Sequence, residues 1–340
     1  MSDATSVPAT PFWFWIAFTA AVLVILAFDL GLTRRRGGHA IGVAEACLRS
    51  AAYAALAFAF AGGLYLLRDG QSAVSFVTGF LIEWSLSVDN VFVFVLVFAH
   101  FMVPKRLEYR VLFWGVLAAL VMRGALIVAG AALIDAFHWV LFVFAGILIV
   151  SGIKMLIAAD AEPDLARNPL LAFLRRFMRV TDDFEGSKFF VRRGRFMYAT
   201  PLFLALVVIN VADVVFAIDS IPAIFAVTSD PFIVYTANVF AILGLRSLYF
   251  ALAGIVHRFH YLKYGLSLVL ILIGGKMIAN GVFGADAVPT EWALLGTAAL
   301  VGGSIVVSLA RPAPADKRHG WVPGTPTVEP EPRRGERRET

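Results

Sequence analysis

Residues 83–90 read EWSLSVDN and residues 213–220 read DVVFAIDS, and both segments lie within long apolar stretches. Each places two acids six positions apart and ends in an aspartate followed by a small hydrogen-bonding residue. A carboxylate at the centre of a bilayer costs about 2.5–3.5 kcal/mol on insertion scales, so four of them oppose insertion by roughly 10 kcal/mol. This cost predicts that the acids pair with, or bind, something inside the protein.

The composition around these segments is that of a membrane protein. Hydrophobic residues make up 60% of the 340 residues and charged residues 16%, whereas a soluble domain carries about 25% charged residues. The formal charge of +5 comes from basic residues in loops and tails, which favours a positive-inside membrane protein over nucleic-acid binding. A single cysteine, Cys47, excludes an internal disulfide and a cysteine-based metal cage.

About 20 apolar residues span a bilayer core, and on that basis the chain is predicted to be an all-α polytopic protein. The apolar run of residues 12–32 precedes its basic cluster and is too long for a cleavable signal peptide. We therefore expect it to be the first of about nine transmembrane helices. They are predicted at residues 12–32, 47–67, 74–101, 109–134, 137–158, 199–227, 232–256, 262–283 and 291–310.

The loop charges predict the orientation of this bundle. Arginine and lysine concentrate in every second loop between the helices and after residue 310. By the positive-inside rule, the protein is predicted to lie in the plasma (inner) membrane with its N-terminus outside and its C-terminus in the cytoplasm. Residues 1–310 are thus predicted to form a multi-pass transmembrane domain, and residues 311–340 a disordered cytoplasmic tail.

The cytoplasmic loop of residues 160–198 is the one sizeable insert. Asn168 to Val180 has helical spacing with arginines on its polar side, which suits the anionic inner leaflet of membrane lipid. Lys188 to Tyr198 alternates around Arg193-Gly194 in the manner of a hairpin. A basic, solvated linker is the alternative for the whole loop.

Besides the acidic segments, an arginine, a histidine and a lysine occur in the same order along predicted helices 3–5 and again along predicted helices 6–8. The separation from histidine to lysine is 16 residues in both halves, and the separations from arginine to lysine are 31 and 30 residues. Because equivalent helices are three apart, the two copies must cross the membrane in opposite directions. Inverted repeats of this kind are typical of secondary transporters. The landmarks are Arg123 and Arg246, His138 and His260, and Lys154 and Lys276.

A six-residue step leaves the two acids of each segment about 120° apart around a straight helix and about 9 Å apart along it. Two explanations fit: each helix presents a wide polar side to the bundle, or the helix breaks near the second aspartate. Pro222, three residues after Asp219, favours a break in the second segment.

Oxygen ligands without cysteine or histidine suit a hard divalent cation such as Mn²⁺, Mg²⁺ or Ca²⁺. The candidate ligands are Glu83, Asp89, Asn90, Asn210, Asp213, Asp219 and Ser220. Static ion pairing is the alternative, with Arg123, Arg246, Lys154 and Lys276 neutralising these acids. Asp29, near the inner end of the first helix, either joins the site or approaches the lipid headgroups.

At these residues the chain resembles the TerC family of integral membrane proteins, and in particular its longer Alx-like members. The resemblance covers nearly all of residues 12–310. It rests on FDLGLTRRRGGHAI (28–41), FLIEWSLSVDNVFVF (80–94), FFVRRGRFMYATPL (189–202), DVVFAIDSIPAIFAVTSDPFIVYTANVFAILGLRSLYF (213–250) and HRFHYLKYGLSLVLILIGGKMI (257–278).

The resemblance implies metal ion export, chiefly of manganese, with a link to tellurium (tellurite) resistance. The family's acidic positions match Glu83, Asp89, Asp213 and Asp219. One position departs from the pattern, because similar members usually carry glutamate where this chain has Asn210. The missing carboxylate removes a charge from the site. Three consequences are open: weaker selectivity for divalent ions, a change in proton coupling, or no change because an amide oxygen suffices.

The leading hypothesis is therefore a secondary transporter that exports Mn²⁺ through an acidic mid-membrane site by exchange for protons. Export of a small organic cation or amino acid, as in the similarly inverted LysE-type exporters, is a second hypothesis. A third is a non-transporting membrane scaffold in metal or tellurite stress. No nucleotide-binding glycine loop or nucleophile–base motif is evident in the sequence, so we expect neither an enzyme nor a resident cofactor.

Overall fold

The computed structural model describes residues 11–35, 42–157, 173–174, 176–253, 261–284 and 287–311, and the side chains of residues 28–35 lie outside the description. The described residues are almost entirely helical, which confirms the all-α prediction. Eight helices are long and apolar enough to cross a membrane, and a ninth carries the shorter apolar stretch Phe12–Ala27.

The helix bounds lie close to the predicted spans. In chain order the helices are α1 Phe12–Arg35, α2 Val43–Leu67, α3 Gly70–His100, α4 Lys105–Ala136, α5 Val140–Ile157, α6 Pro201–Phe225, α7 Pro231–Leu252, α8 Leu262–Phe283 and α9 Thr290–Ala310. Helix α6 continues through Pro222 and ends three residues later. The break predicted near Asp219 is therefore not observed, and each acidic segment lies on an unbroken helix.

Helix α7 lies at the centre of the bundle, with nearly all of its residues buried. Helices α2 and α3 pack on it from one side, and α4 packs on both α6 and α7. Phenylalanine rings from α1, α2, α3 and α7 form a continuous cluster there. Aromatic rings bury large apolar areas, so this cluster fixes α1 and α2, which lie outside the predicted repeat, against the repeat's core.

Among the described helices, α5 and α8 pack against each other most extensively. A β-carbon added at Gly152 would lie 2.8 Å from the carbonyl oxygen of Ser267, and one added at Gly274 would lie 2.9 Å from that of Ala145. Glycine lets two membrane helices approach until their backbones touch. Each glycine thus packs on the backbone of the opposite helix, and we call this contact the glycine seam.

The glycine seam is reciprocal. Gly152 and Gly274 are as far apart in sequence as His138 and His260. The same interval separates Ala145, on which Gly274 packs, from Ser267, on which Gly152 packs. A two-fold axis between the halves would produce this exchange of contacts. The inverted repeat itself stays a prediction, and the seam has the form that such a repeat requires.

The described part of the long loop ends in the predicted hairpin. Strands β1 (Phe190–Arg193) and β2 (Phe196–Ala199) pair antiparallel, with Arg193 opposite Phe196. Gly194 in the connecting turn has φ +63°, a left-handed conformation that glycine adopts without strain. Of the helix predicted at Asn168 to Val180, residues 168–172 and 175 lie outside the described residues, and residues 173–174 and 176–177 are helical. The tail after residue 311 also lies outside them.

Candidate cation site among buried carboxylates

Arg123 of α4 joins the two acidic segments at the centre of the bundle. Its Nη1 donates to Oε2 of Glu83 at 2.6 Å. Its Nε and Nη2 donate to Oδ2 and Oδ1 of Asp213 at 3.1 and 2.9 Å. Glu83 is 1% exposed, and Arg123 and Asp213 are each 3% exposed. The first acids of both segments therefore converge on one guanidinium, away from lipid.

Neutral side chains complete this group, which we call the Arg123 cluster: Glu83, Asn90, Arg123, Asp213, Ser220 and Asn238. Asn238 of α7 donates to Oε1 of Glu83 at 2.8 Å and accepts from Arg123 Nη1 at 3.1 Å. Asn90 Nδ2 lies 3.5 Å from Asp213 Oδ1, and Ser220 Oγ accepts from Arg123 Nη1 at 3.4 Å. Four helices thus contribute polar atoms to one buried network.

The contacts set the register of the two acidic segments. Asn90, at the end of the first segment, contacts Asp213, at the start of the second. Glu83, at the start of the first, and Ser220, at the end of the second, share the same nitrogen of Arg123. Residues 83–90 and 213–220 therefore lie side by side and run in opposite directions.

The charges of the Arg123 cluster do not balance. Two carboxylates face one guanidinium, so the cluster carries one net negative charge when both acids are ionised. Charge buried in a low-dielectric interior is expensive unless it is compensated. Electrostatics in this region therefore favours the arrival of a further cation or a proton.

Unpaired oxygens lie in the same region. Asn90 Oδ1 and Asn210 Oδ1 are buried without a hydrogen-bond partner among the described residues. Asn210 donates only to the carbonyl of Leu206, one turn back on its own helix. A small cavity adjoins the cluster and is lined by Asn210, Asp213 and apolar side chains of α3, α4 and α7. Carboxylate and amide oxygens at such a place are ligands for a hard cation.

The second acids of the two segments point elsewhere. Asp89 is partly buried and interacts electrostatically with Lys263 of α8. Asp219 is also partly buried, accepts a 2.5 Å hydrogen bond from Ser151 of α5 and interacts with Lys154. The 120° rotation between positions six apart accounts for this difference. Among the described residues, no three Asp, Glu, His or Cys side chains are grouped as metal ligands.

The remaining basic candidates occupy separate places. Arg246 of α7 donates to the hydroxyl of Tyr109 at 3.1 Å and lies over its ring. Lys276 of α8 contacts Thr290 Oγ1 at 3.3 Å and the carbonyl of Ala226, just past the end of α6, at 3.4 Å. Of the four basic residues considered for static pairing, Arg123 is the one that bridges acids from both segments. The side chain of Asp29 lies outside the described residues.

Sequence reasoning missed two polar residues of this region. Asn238 is an isolated amide in an apolar helix, two turns before Arg246, and that isolation was a usable signal. Ser151 carries no comparable signal, because small hydroxyl residues are common in membrane helices. Its role emerges only from the packing of α5 against α6, which sets its hydroxyl against Asp219.

The sequence of this chain is similar to a known family of membrane proteins and to several of its relatives. Residues 68–318 match the family described as "Integral membrane protein TerC family". An uncharacterized membrane protein of Myxococcus xanthus is 46% identical over 298 residues, covering 87% of this chain and 92% of that protein. The "Putative membrane-bound redox modulator Alx" of Escherichia coli K12 is 46% identical over 272 residues, covering 78% and 85%. No solved structure matches the chain.

Proposed function

Because the chain belongs to the TerC family of integral membrane proteins, we propose that it is a secondary transporter that exports a divalent metal ion, Mn²⁺ before others, from the cytoplasm. The observation that carries the proposal is the Arg123 cluster. Its two buried carboxylates come from α3 and α6, one from each half of the predicted repeat, and outnumber the cation that they share. Ionisable residues inside a membrane bundle usually mark an ion pathway.

The chemistry of the donors supports a hard divalent ion. The carboxylates of Glu83 and Asp213 and the unpaired amide oxygens of Asn90 and Asn210 are all oxygen donors. Such donors suit Mn²⁺ and Mg²⁺ and suit soft ions poorly. The carboxylates of Asp89 and Asp219 turn toward α8 and α5 instead, so they lie outside this donor set. The family resemblance implies a carboxylate at the position of Asn210, and in this proposal the amide oxygen of Asn210 serves as the ligand in its place.

Exchange with protons follows from the same groups. A carboxylate must be deprotonated to bind a metal ion, so metal binding releases protons and weakens as the pH falls. Two halves that run in opposite directions suit alternating access, in which one half moves against the other around the site. In a plasma membrane with the C-terminus in the cytoplasm, as the loop charges predict, protons that enter down their gradient would drive the metal ion outward.

The proposal is tested by transport in proteoliposomes that contain a Mn²⁺-sensitive dye. At Mn²⁺ concentrations well below the Kd, we expect the wild-type protein to move Mn²⁺ when a pH gradient is imposed, and Asp213→Asn to lose at least about 90% of that rate. The reason is that one lost charged contact of about 1.5–3 kcal/mol lowers the affinity more than tenfold. Asp135→Asn, which changes an acid at the end of α4, is the matched control and keeps the rate. Wild-type protein that is correctly inserted and moves no Mn²⁺ would refute the proposal.

The two other hypotheses make different predictions for the same assay. An exporter of organic cations would move an amine, with no competition from Mn²⁺. A scaffold would move neither, and its function would depend on the loop of residues 160–198. The name of the Alx relatives refers to a redox role. A dithiol–disulfide cycle within one chain needs two cysteines, and this chain has Cys47 alone, so that particular redox chemistry is not available within it.

A further inference from the structure

Arg123 satisfies the oxygens that a transported metal would need. Both oxygens of Glu83 are engaged, Oε2 by Arg123 and Oε1 by Asn238. Both oxygens of Asp213 are engaged by Arg123 as well. A metal ion that takes these oxygens as ligands must therefore either share them with the Arg123 guanidinium or displace it.

We infer that Arg123 is a tethered competitor of the transported ion: it occupies the carboxylates of Glu83 and Asp213 and exchanges places with the metal in each transport cycle. This inference rests on the proposed function and deepens it. It assigns to Arg123 the role of a positioning residue that sets affinity and turnover, in place of static neutralisation.

The charge of the cluster makes the two cations exclude one another. With Arg123 alone the cluster has one net negative charge, and a divalent ion added beside the guanidinium would make it one net positive charge. Like charges a few ångströms apart repel strongly in a low-dielectric interior. Binding of the metal and retention of Arg123 on both carboxylates are therefore opposed.

The structure also provides a place for the displaced guanidinium. Asn238 Oδ1 and Ser220 Oγ already accept from Arg123 Nη1, at 3.1 and 3.4 Å. Both acceptors are neutral, so the guanidinium can stay hydrogen-bonded to them while the metal takes the carboxylates. The two acceptors lie on α7 and α6, so Arg123 can exchange partners without leaving the cluster.

The test compares Mn²⁺ affinity and transport in four purified, lipid-reconstituted proteins: wild type, Arg123→Gln, Arg123→Lys and Arg246→Gln. Competition predicts that Arg123→Gln binds Mn²⁺ at least about fivefold more tightly, the lower range for coupling between two ligands, yet transports it more slowly because release is impaired. Arg123→Lys keeps a competing charge and should stay near the wild-type affinity. Arg246→Gln removes another buried arginine, one that contacts Tyr109, and should leave affinity unchanged.

A double substitution keeps the inference testable where Arg123→Gln alone folds poorly. Glu83→Gln should weaken Mn²⁺ binding, because Arg123 then pairs with the one remaining carboxylate. Adding Arg123→Gln to it removes the competitor and should restore affinity to the wild-type level or above. A double variant that binds no better than Glu83→Gln, or an Arg123→Gln protein that folds and binds no more tightly than wild type, would overturn the inference. A wild-type protein without Mn²⁺ binding or transport would instead overturn the proposed function.

Discussion

Replacing Arg123 with glutamine should lower the free energy of unfolding by about 3–5 kcal/mol, the range measured when one partner of a buried ion pair is removed. Glu83 and Asp213 are 1% and 3% exposed, and without Arg123 they face one another without a counter-charge. The measurement is thermal unfolding of the detergent-solubilised protein in a metal-free buffer. Added Mn²⁺ should recover much of the loss, since a ligand that binds only the folded state stabilises it.

Asp213→Asn is the matched control for this loss. It leaves Glu83 and Arg123 as a balanced pair at 2.6 Å and should lower the free energy of unfolding by about 1.5–3 kcal/mol, the value of a hydrogen bond to a charged group. This is less than the loss expected for Arg123→Gln, because no uncompensated charge remains. The contrast separates charge compensation from packing. Equal losses in the two variants would show that the cluster contributes through shape, and that its unbalanced charge has little effect on the fold.

A leucine at Gly152 or at Gly274 should force α5 and α8 apart and destabilise the protein by about 1–3 kcal/mol each, as overpacked cores do. At both positions a single added carbon would already lie 2.8 Å from atoms of the opposite helix. Because part of the obstacle is backbone, side-chain rotation cannot relieve the clash. Thermal unfolding and the monodisperse fraction in detergent measure the effect.

Gly275, next to Gly274, provides the control for the seam. An added β-carbon there meets nothing within 4 Å, so leucine at Gly275 changes helix propensity and lipid exposure without entering the contact. We expect Gly275→Leu to unfold within a few degrees of wild type. Similar losses at Gly274 and Gly275 would contradict the role assigned to the glycine seam.

The spans of this protein were predictable because bilayer thickness imposes a length on every apolar run. Predicted and observed bounds differ by a few residues, as at α2, which was expected from residue 47 and begins at Val43. Pro222 misled the prediction of a break. Pro222 has no N–H to donate to the Ile218 carbonyl, so it removes one backbone hydrogen bond of the helix. Membrane helices tolerate such a proline because neighbouring groups can satisfy the freed carbonyl, and α6 continues to Phe225.

The site was predictable only in part. The acids could be identified because charge is rare in an apolar stretch, and the repeat indicated that the two segments belong together. Which acid meets which base depends on helix rotation and on neighbours distant in sequence. Asp89 and Asp219 were expected to share a cage with Glu83 and Asp213, but their side chains turn toward α8 and α5. Asn238 entered the site through the packing of α7, which the spacing of charges does not reveal.

The antiparallel register of residues 83–90 and 213–220 has a consequence for the direction of flow. From either surface of the bilayer, the oxygen donors of the two segments follow one another in nearly the same order. The transporter should therefore bind its metal ion with comparable affinity when the site opens to the inside and when it opens to the outside. Net movement is then decided by the thermodynamic driving force alone. Inverting the imposed proton gradient should turn the exporter into an importer, and a carrier that runs strictly one way would show that some asymmetry outside these two segments governs it.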